Sequence, residues 1–77
     1  MADHTGTLPL PYLVKWRTYK LMTREILSEK SGVSVATILK IENKLTAGAR
    51  YSTIIKLASG LGISTDDLLY HVPPTDG

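Results

Sequence analysis

The apolar residues of the chain recur with a helical period, most clearly between Thr23 and Asn43. This stretch reads T-R-E-I-L-S-E-K-S-G-V-S-V-A-T-I-L-K-I-E-N and contains two short amphipathic segments separated by Gly32. Thr23 and Ser34 each precede one segment, and their hydroxyl side chains are of the type that caps a helix N-terminus. Glycine adopts the left-handed conformation of a sharp turn at no steric cost. The pattern therefore predicts two helices joined by a tight turn.

The second helix of this pair, expected over residues 35-43, has two different faces. Ile38 and Ile41, with Val33 in the turn, have the spacing of an inward face. The other positions point outward, and most of them are apolar: Val35, Ala36, Leu39 and Lys40. So much apolar surface is unusual on a solvent-facing side of a helix.

Helical patterns also flank this pair. Pro9 and Pro11 mark the start of a first helix, since proline is tolerated in the first helical turn. Trp16, the one tryptophan, lies at core spacing from Leu13, which predicts a core anchor rather than a ligand-stacking residue.

Two more helices are predicted after the pair. Ser52 can cap or open a fourth helix, and Gly60 with Gly62 is predicted to end it. Ser64 can cap a short fifth helix, which the proline at position 73 stops.

These patterns predict an all-α fold, a compact five-helix bundle with a helix-turn-helix at residues 23-43. The domain is expected over residues 9-72, between a flexible N-terminal arm (1-8) and a flexible tail (73-77). Seventy-seven residues suffice for one small domain. The chain has no cysteine, so neither a disulfide framework nor a thiolate metal site can stabilise it, and helix packing is the expected source of stability.

Hydropathy argues against a membrane protein. No apolar run approaches the ~20 residues that span a bilayer. The N-terminal sequence M-A-D-H-T-G-T also lacks the basic start and apolar centre of a signal peptide. The expectation is a soluble, cytoplasmic protein without a membrane partner.

Charge is distributed unevenly along the chain, although its net value is only +2. The segment from Lys15 to Lys56 holds all nine lysines and arginines and three glutamates, a net charge of +6, and the four aspartates lie outside it. A basic centre between acidic ends suits an anionic partner that meets the central helices, as a phosphate backbone would.

Catalytic and metal-binding patterns are weak by comparison. His4 and His71 lie near opposite ends of the sequence, and neither has a second ligand at metal spacing. No glycine-rich phosphate loop or nucleophile motif accompanies the serines and threonines. We therefore expect a protein that is not an enzyme and has no metal or cofactor.

Three segments in order resemble the Cro and lambda-repressor-like, or XRE-type, helix-turn-helix family. They are M-T-R-E-I-L-S-E-K-S-G-V-S, V-A-T-I-L-K-I-E-N and K-L-A-S-G-L-G-I-S-T-D-D-L-L, and the resemblance covers roughly Leu13 to Leu69. It implies a five-helix bundle of the lambda-repressor-like type that binds double-stranded DNA, usually as a homodimer on a pseudo-palindromic site. Its dimer contacts would involve the last helix and the loop before it. The candidates are Leu68, Leu69, Tyr70 and Val72, which are equally consistent with the core edge of a monomer.

The resemblance also implies roles for individual residues. The positions that would meet base edges are Val35, Ala36, Thr37 and Lys40. The positions that would meet phosphates are Thr23, Arg24, Lys44 and Arg50. A structural ion pair between Arg17 and Glu42 would link the first and third helices.

The chain departs from the family pattern at two turns. Leu21 and Lys44 stand where the family often has glycine, so each turn must close differently or accept strain. The loop from Lys44 to Arg50 is one residue longer than usual, and it would still offer Lys44, Thr46 and Arg50 to the DNA backbone.

Two functions follow from these observations. The leading one is a sequence-specific DNA-binding transcriptional regulator of the repressor type, with the third helix in the major groove. The alternative is an antitoxin-like or adaptor module that docks a protein partner on the apolar face of that helix.

Overall fold

Five α-helices account for most of residues 6–74, which are the residues that the structure, a computed structural model, describes. They are α1 (Leu13–Tyr19), α2 (Arg24–Ser31), α3 (Val35–Glu42), α4 (Tyr51–Leu61) and α5 (Thr65–Tyr70). No β-strand occurs in this range. The predicted all-α class and the helix-turn-helix formed by α2 and α3 are therefore confirmed.

Hydroxyl caps begin three of the helices, as the sequence predicts. The side chain of Thr23 accepts the N–H of Ile26 at 3.1 Å, and that of Ser34 accepts the N–H of Thr37 at 3.1 Å. Ser64 caps α5 in the same way. The fourth helix is present, but the role predicted for Ser52 was wrong. The N-cap of α4 is Arg50, which makes no side-chain cap hydrogen bond, and the helix starts one residue before Ser52.

The core forms around α4, which packs most closely against α2. The inward residues of the third helix are buried as predicted, and they join the apolar stripe of α4: Val33, Ile38, Ile41, Ile54, Leu57, Ala58 and Leu61. Trp16 is 6% exposed, and its indole N–H donates to the backbone oxygens of His71 at 2.9 Å and Asp67 at 3.2 Å. This side chain anchors α1 against the end of α5.

The two predicted terminators of α4 have different roles. Gly62 adopts a left-handed conformation, with φ 74°, and ends the helix as predicted. Gly60 instead lies inside the helix and is buried, so its prediction as a terminator was wrong. A Cβ at position 60 would lie 2.9 Å from the Cα of Ser31, so this glycine lets α2 approach α4 closely.

Helix α1 ends in a left-handed turn that has no glycine. Leu21, with φ 59°, donates its N–H to the oxygen of Thr18 at 2.9 Å, and Met22 donates to that of Arg17 at 3.0 Å. This pair of bonds is the Schellman motif, which favours glycine at the left-handed position. Lys44, with φ 58°, ends α3 in the same way. Both turns thus adopt the left-handed conformation that favours glycine and accept the strain.

We expect Leu21→Gly to raise the free energy of unfolding by about 1 kcal/mol, since the left-handed strain of a non-glycine residue exceeds the entropic cost of glycine. The side chain is 88% exposed, so little packing is lost. Chemical denaturation followed by circular dichroism measures the change. Leu21→Ala is the matched control, because it removes the exposed side chain and retains the strain. Equal stabilisation by both substitutions would contradict this explanation.

The segment before α1 is tied to the loop between α3 and α4. Leu8 and Ala49 exchange backbone hydrogen bonds of 2.9 and 3.0 Å in an isolated antiparallel bridge. Gly48 makes this approach possible, since a Cβ there would lie 2.0 Å from the Leu8 oxygen. Leu8, the last residue of the predicted arm, is therefore paired with the domain, and Pro73, the first residue of the predicted tail, is buried. Residues 1-5 and 75-77 of these two segments lie outside the described residues.

None of the helices in residues 6–74 has both the length and the hydropathy needed to cross a membrane.

Candidate nucleic-acid interface

The outward side of α3 is exposed along its first two turns. Ala36, Thr37 and Lys40 are exposed, Val35 is half-buried, and Leu39 is 37% exposed. The four residues predicted to meet base edges therefore share one accessible surface. Its polar groups are the hydroxyl of Thr37 and the ammonium of Lys40.

A reciprocal hydrogen-bond pair orients Thr37 at the start of this helix. Its backbone N–H donates to the hydroxyl oxygen of Ser34 at 3.1 Å, and the Ser34 hydroxyl donates to Oγ1 of Thr37 at 2.9 Å. The Thr37 hydroxyl is held at the exposed side of the helix, where it can still bond to a ligand. In the major groove this group can donate to a purine N7 or to the O4 of thymine.

Glu42 lies at the end of α3 and binds two arginines. Its side chain is 1% exposed, and its Oε2 accepts from Nε of Arg17 at 2.7 Å. Its Oε1 accepts from Nη2 of Arg17 at 3.2 Å and from Nε of Arg24 at 2.7 Å. Arg17 also donates to the backbone oxygen of Met22 at 2.9 Å. The contact implied between α1 and α3 is therefore present, and it includes the first residue of α2.

A pair between Arg24 and an acid was an alternative at the level of sequence, but Glu42 was not identified as the partner. The two residues are 18 positions apart and on different helices, so helical spacing carries no signal for their contact. The available signal was the excess of basic over acidic residues between positions 15 and 56. With so few acids in that segment, one carboxylate can accept hydrogen bonds from more than one arginine. Arg24 was predicted to meet a phosphate, and in the protein alone it lies against Glu42 with 38% of its side chain exposed.

The other predicted phosphate contacts lie at turns and caps. The hydroxyl oxygen of Thr23 accepts the N–H of Ile26, which leaves its hydrogen available for a phosphate oxygen. Lys44 is exposed two residues beyond Glu42, so Arg24 and Lys44 lie at the same end of α3. Arg50 is exposed at the start of α4.

Thr46 does not offer its hydroxyl as expected. Its Oγ1 donates to the backbone oxygen of Gly48 at 2.9 Å, so this group stabilises its own loop. The loop therefore presents its two basic side chains to a partner rather than three polar groups.

The candidate dimer residues near the C-terminus divide by burial. Leu68 is fully buried in the core, and Leu69 is partly buried against it. Tyr70 and Val72 are 67% and 52% exposed, so they are the accessible members of this set.

Potential metal ligands are not grouped together in residues 6–74. No cluster of three or more potential metal ligands occurs there. His71 is exposed, and its backbone oxygen rather than its ring bonds to Trp16. His4 lies outside the described residues.

Comparison with known proteins agrees with this geometry. A family model described as helix-turn-helix matches residues 13–68, which is well over half of the chain and includes all five helices except the end of α5. No curated protein matches the chain. Domains of this family bind DNA and occur in transcriptional regulators. The chain belongs to the XRE-type helix-turn-helix family, which includes the Cro and lambda-repressor-like domains.

Proposed function

We propose that this protein is a sequence-specific transcriptional regulator of the repressor type, which binds duplex DNA with α3 in the major groove. The observation that carries the proposal is the exposed start of α3 with Arg24 and Lys44 at its far end. A helix of this kind fits the width of the major groove, and flanking cations meet the phosphates on its borders.

The outward side chains of α3 offer few hydrogen-bonding groups to the bases. Val35 and Ala36 have no hydrogen-bonding side chain, so they contact the methyl groups of thymines. Thr37 donates its hydroxyl hydrogen, and Lys40 reaches a guanine acceptor edge or a phosphate. Discrimination therefore depends partly on DNA shape at positions that the protein does not touch.

Affinity comes mainly from phosphate contacts in this proposal. Thr23 and Arg24 meet the backbone at the start of α2, where the helix N-terminus favours an anion. Lys44 and Arg50 meet it from the loop before α4. Because such contacts release counterions, they make binding depend on salt concentration.

Repression follows from occupying a promoter, most simply by a homodimer on a two-fold site. Half-sites would lie about one helical turn, roughly 34 Å, apart. Tyr70 and Val72 supply exposed apolar surface for the dimer contact. Selection of bound sequences from a random duplex pool tests this proposal, because a symmetric site of that spacing reports both sequence specificity and the dimer.

Arg50→Ala is expected to lower the slope of log K against log salt by about 0.9, the value of one phosphate contact on B-DNA. Arg50 makes no side-chain cap bond to α4, so its loss leaves the fold intact. Fluorescence anisotropy across a salt series gives the slope. Lys15→Ala is the matched control, since it removes a charge from an exposed position on α1. Equal slopes for both variants would exclude Arg50 from the interface.

The outward apolar residues of α3 support a second candidate, an antitoxin-like or adaptor module. Leu39 is 37% exposed beside Val35 and Ala36, which is surface that a protein partner could cover. The same salt series separates the two functions. Failure of the protein to bind any duplex at ~50 mM salt would exclude DNA binding and favour the adaptor.

A further inference from the structure

Among the four candidate phosphate contacts, Arg24 alone is held by another side chain within residues 6–74. Its Nε donates to Oε1 of Glu42 at 2.7 Å, and its terminal Nη groups have no partner in that range. The exposed fraction is 38% for the Arg24 side chain and 1% for that of Glu42. The guanidinium therefore connects a buried carboxylate to the protein surface.

The geometry of the guanidinium determines what this bond leaves available. The group is planar and carries five N–H donors in fixed directions. A bond through Nε restricts the plane of the group, and the Nη hydrogens at its outer end can still meet two phosphate oxygens together. An unattached surface arginine samples many rotamers and loses that freedom when it binds. Arg24 has already lost much of this rotamer freedom in the free protein, because it is bonded to Glu42.

The net charge of the cluster formed by Arg17, Arg24 and Glu42 also remains favourable for binding DNA. Glu42 carries one negative charge, and Arg17 already bonds to both of its oxygens, at 2.7 and 3.2 Å. Arg24 is the second cation on this carboxylate, so the three side chains together keep one positive charge. Glu42 thus holds Arg24 while one cationic charge remains for a phosphate.

We propose that Glu42 is a positioning residue for DNA binding, which holds the Arg24 guanidinium with its Nη groups toward one backbone phosphate beside the start of α2. This inference rests on the proposed function. It goes further in one respect: a buried acid strengthens the binding of a polyanion.

The direction in which Glu42→Gln changes the affinity for DNA distinguishes positioning from simple electrostatics. Removing a negative charge next to a DNA interface should tighten binding if charge alone matters. Glutamine has one carbonyl oxygen, and its amide N–H groups cannot accept from the second arginine. We expect about tenfold weaker binding, as for loss of a charge-assisted hydrogen bond. The salt slope should also fall by about 0.9.

The experiment measures anisotropy of a labelled mixed-sequence duplex of about 24 base pairs, roughly two helical turns, across a salt series. Circular dichroism verifies that each variant is folded at the temperature used. Binding by Glu42→Gln as tight as that of the parent protein, with an unchanged slope, overturns the inference. Glu25→Gln is the control, because it removes an exposed charge from the first turn of α2 and is expected to leave binding equal or tighter.

Two further variants test whether Glu42 acts through Arg24. In an Arg24→Ala background, Glu42→Gln should no longer weaken binding, and a persisting tenfold loss overturns the inference. Arg24→Lys keeps the charge, but its single ammonium cannot bond Glu42 and offer a planar pair of donors. We expect it to bind as weakly as Arg24→Ala, and parent-like binding would contradict this. If the parent protein fails to bind the duplex at all, the proposed function fails, and the inference fails with it.

Discussion

Glu42→Ala is expected to lower the free energy of unfolding by about 3 kcal/mol, the largest effect of any substitution considered for this protein. The carboxylate is 1% exposed and accepts hydrogen bonds from Arg17 and Arg24. Its removal leaves two guanidinium groups facing each other around an empty volume. Arg17 is only 15% exposed, so water compensates this cation poorly. The links between α1, α2 and α3 weaken together.

Variants of the neighbouring charges separate the contributions to this loss. Arg24→Ala should cost less than about 1 kcal/mol, because its side chain is partly solvated and Arg17 still neutralises the carboxylate. Glu25→Ala makes a similar chemical change at an exposed position of α2 and should shift stability by no more than about 0.5 kcal/mol. Urea unfolding at neutral pH measures all three variants. A midpoint for Glu42→Ala equal to that of the parent protein would show that the cluster does not stabilise the fold.

Much of the fold is predictable from sequence because its signals are local. A hydroxyl cap acts on an N–H group three residues away, as Thr23, Ser34 and Ser64 do. The inward face of α3 follows from the helical period alone. The strained turns at Leu21 and Lys44 were predictable only in part, since the sequence left open whether each turn closes differently or accepts the strain that the structure shows.

Close approach between helices is the part of the fold that sequence did not reveal. A glycine near a helix end is equally consistent with a terminator and with a contact point, and Gly60 is the latter. Which of the two roles Gly60 has depends on the position of Ser31 in the folded protein, and no local sequence pattern encodes that position. The pairing of Leu8 with Ala49 is hidden for the same reason, since the two residues of that bridge are 41 positions apart in the sequence.

The candidate interface was predictable to a similar degree. The family pattern identifies positions on α3 and around it, and most of those positions are exposed in the structure. The hydrogen-bond partners of each side chain were not predictable from the family pattern. Thr46 bonds to its own loop, and Arg24 bonds to Glu42, because polar groups satisfy each other wherever the fold brings them together. Family position therefore predicts where a residue lies better than what it contacts.

Gly60→Ala is expected to lower the free energy of unfolding by about 2 kcal/mol, although alanine is the better helix former by about 1 kcal/mol. The added Cβ would lie 2.8 Å from the Cβ of Ser31 and 2.9 Å from its backbone N and Cα. Backbone atoms cannot rotate away from it, so α2 must shift on α4. Since α2 carries Thr23 and Arg24, the same shift should weaken DNA binding.

Two variants identify the contact as the cause. Ser59→Ala, at the preceding exposed position of α4, should change stability by no more than about 0.5 kcal/mol. Ser31→Gly removes the Cβ at 2.8 Å together with the Oγ that accepts the N–H of Val33 at 3.1 Å, and the backbone atoms at 2.9 Å remain. The double variant is therefore compared with Ser31→Gly alone, and against that reference Gly60→Ala should cost slightly less than it does in the parent protein. Denaturant midpoints measure each variant. If Gly60→Ala instead stabilises the protein by the helix propensity of alanine, then α2 does not lie against Gly60 at this distance, and the close packing of α2 on α4 is refuted.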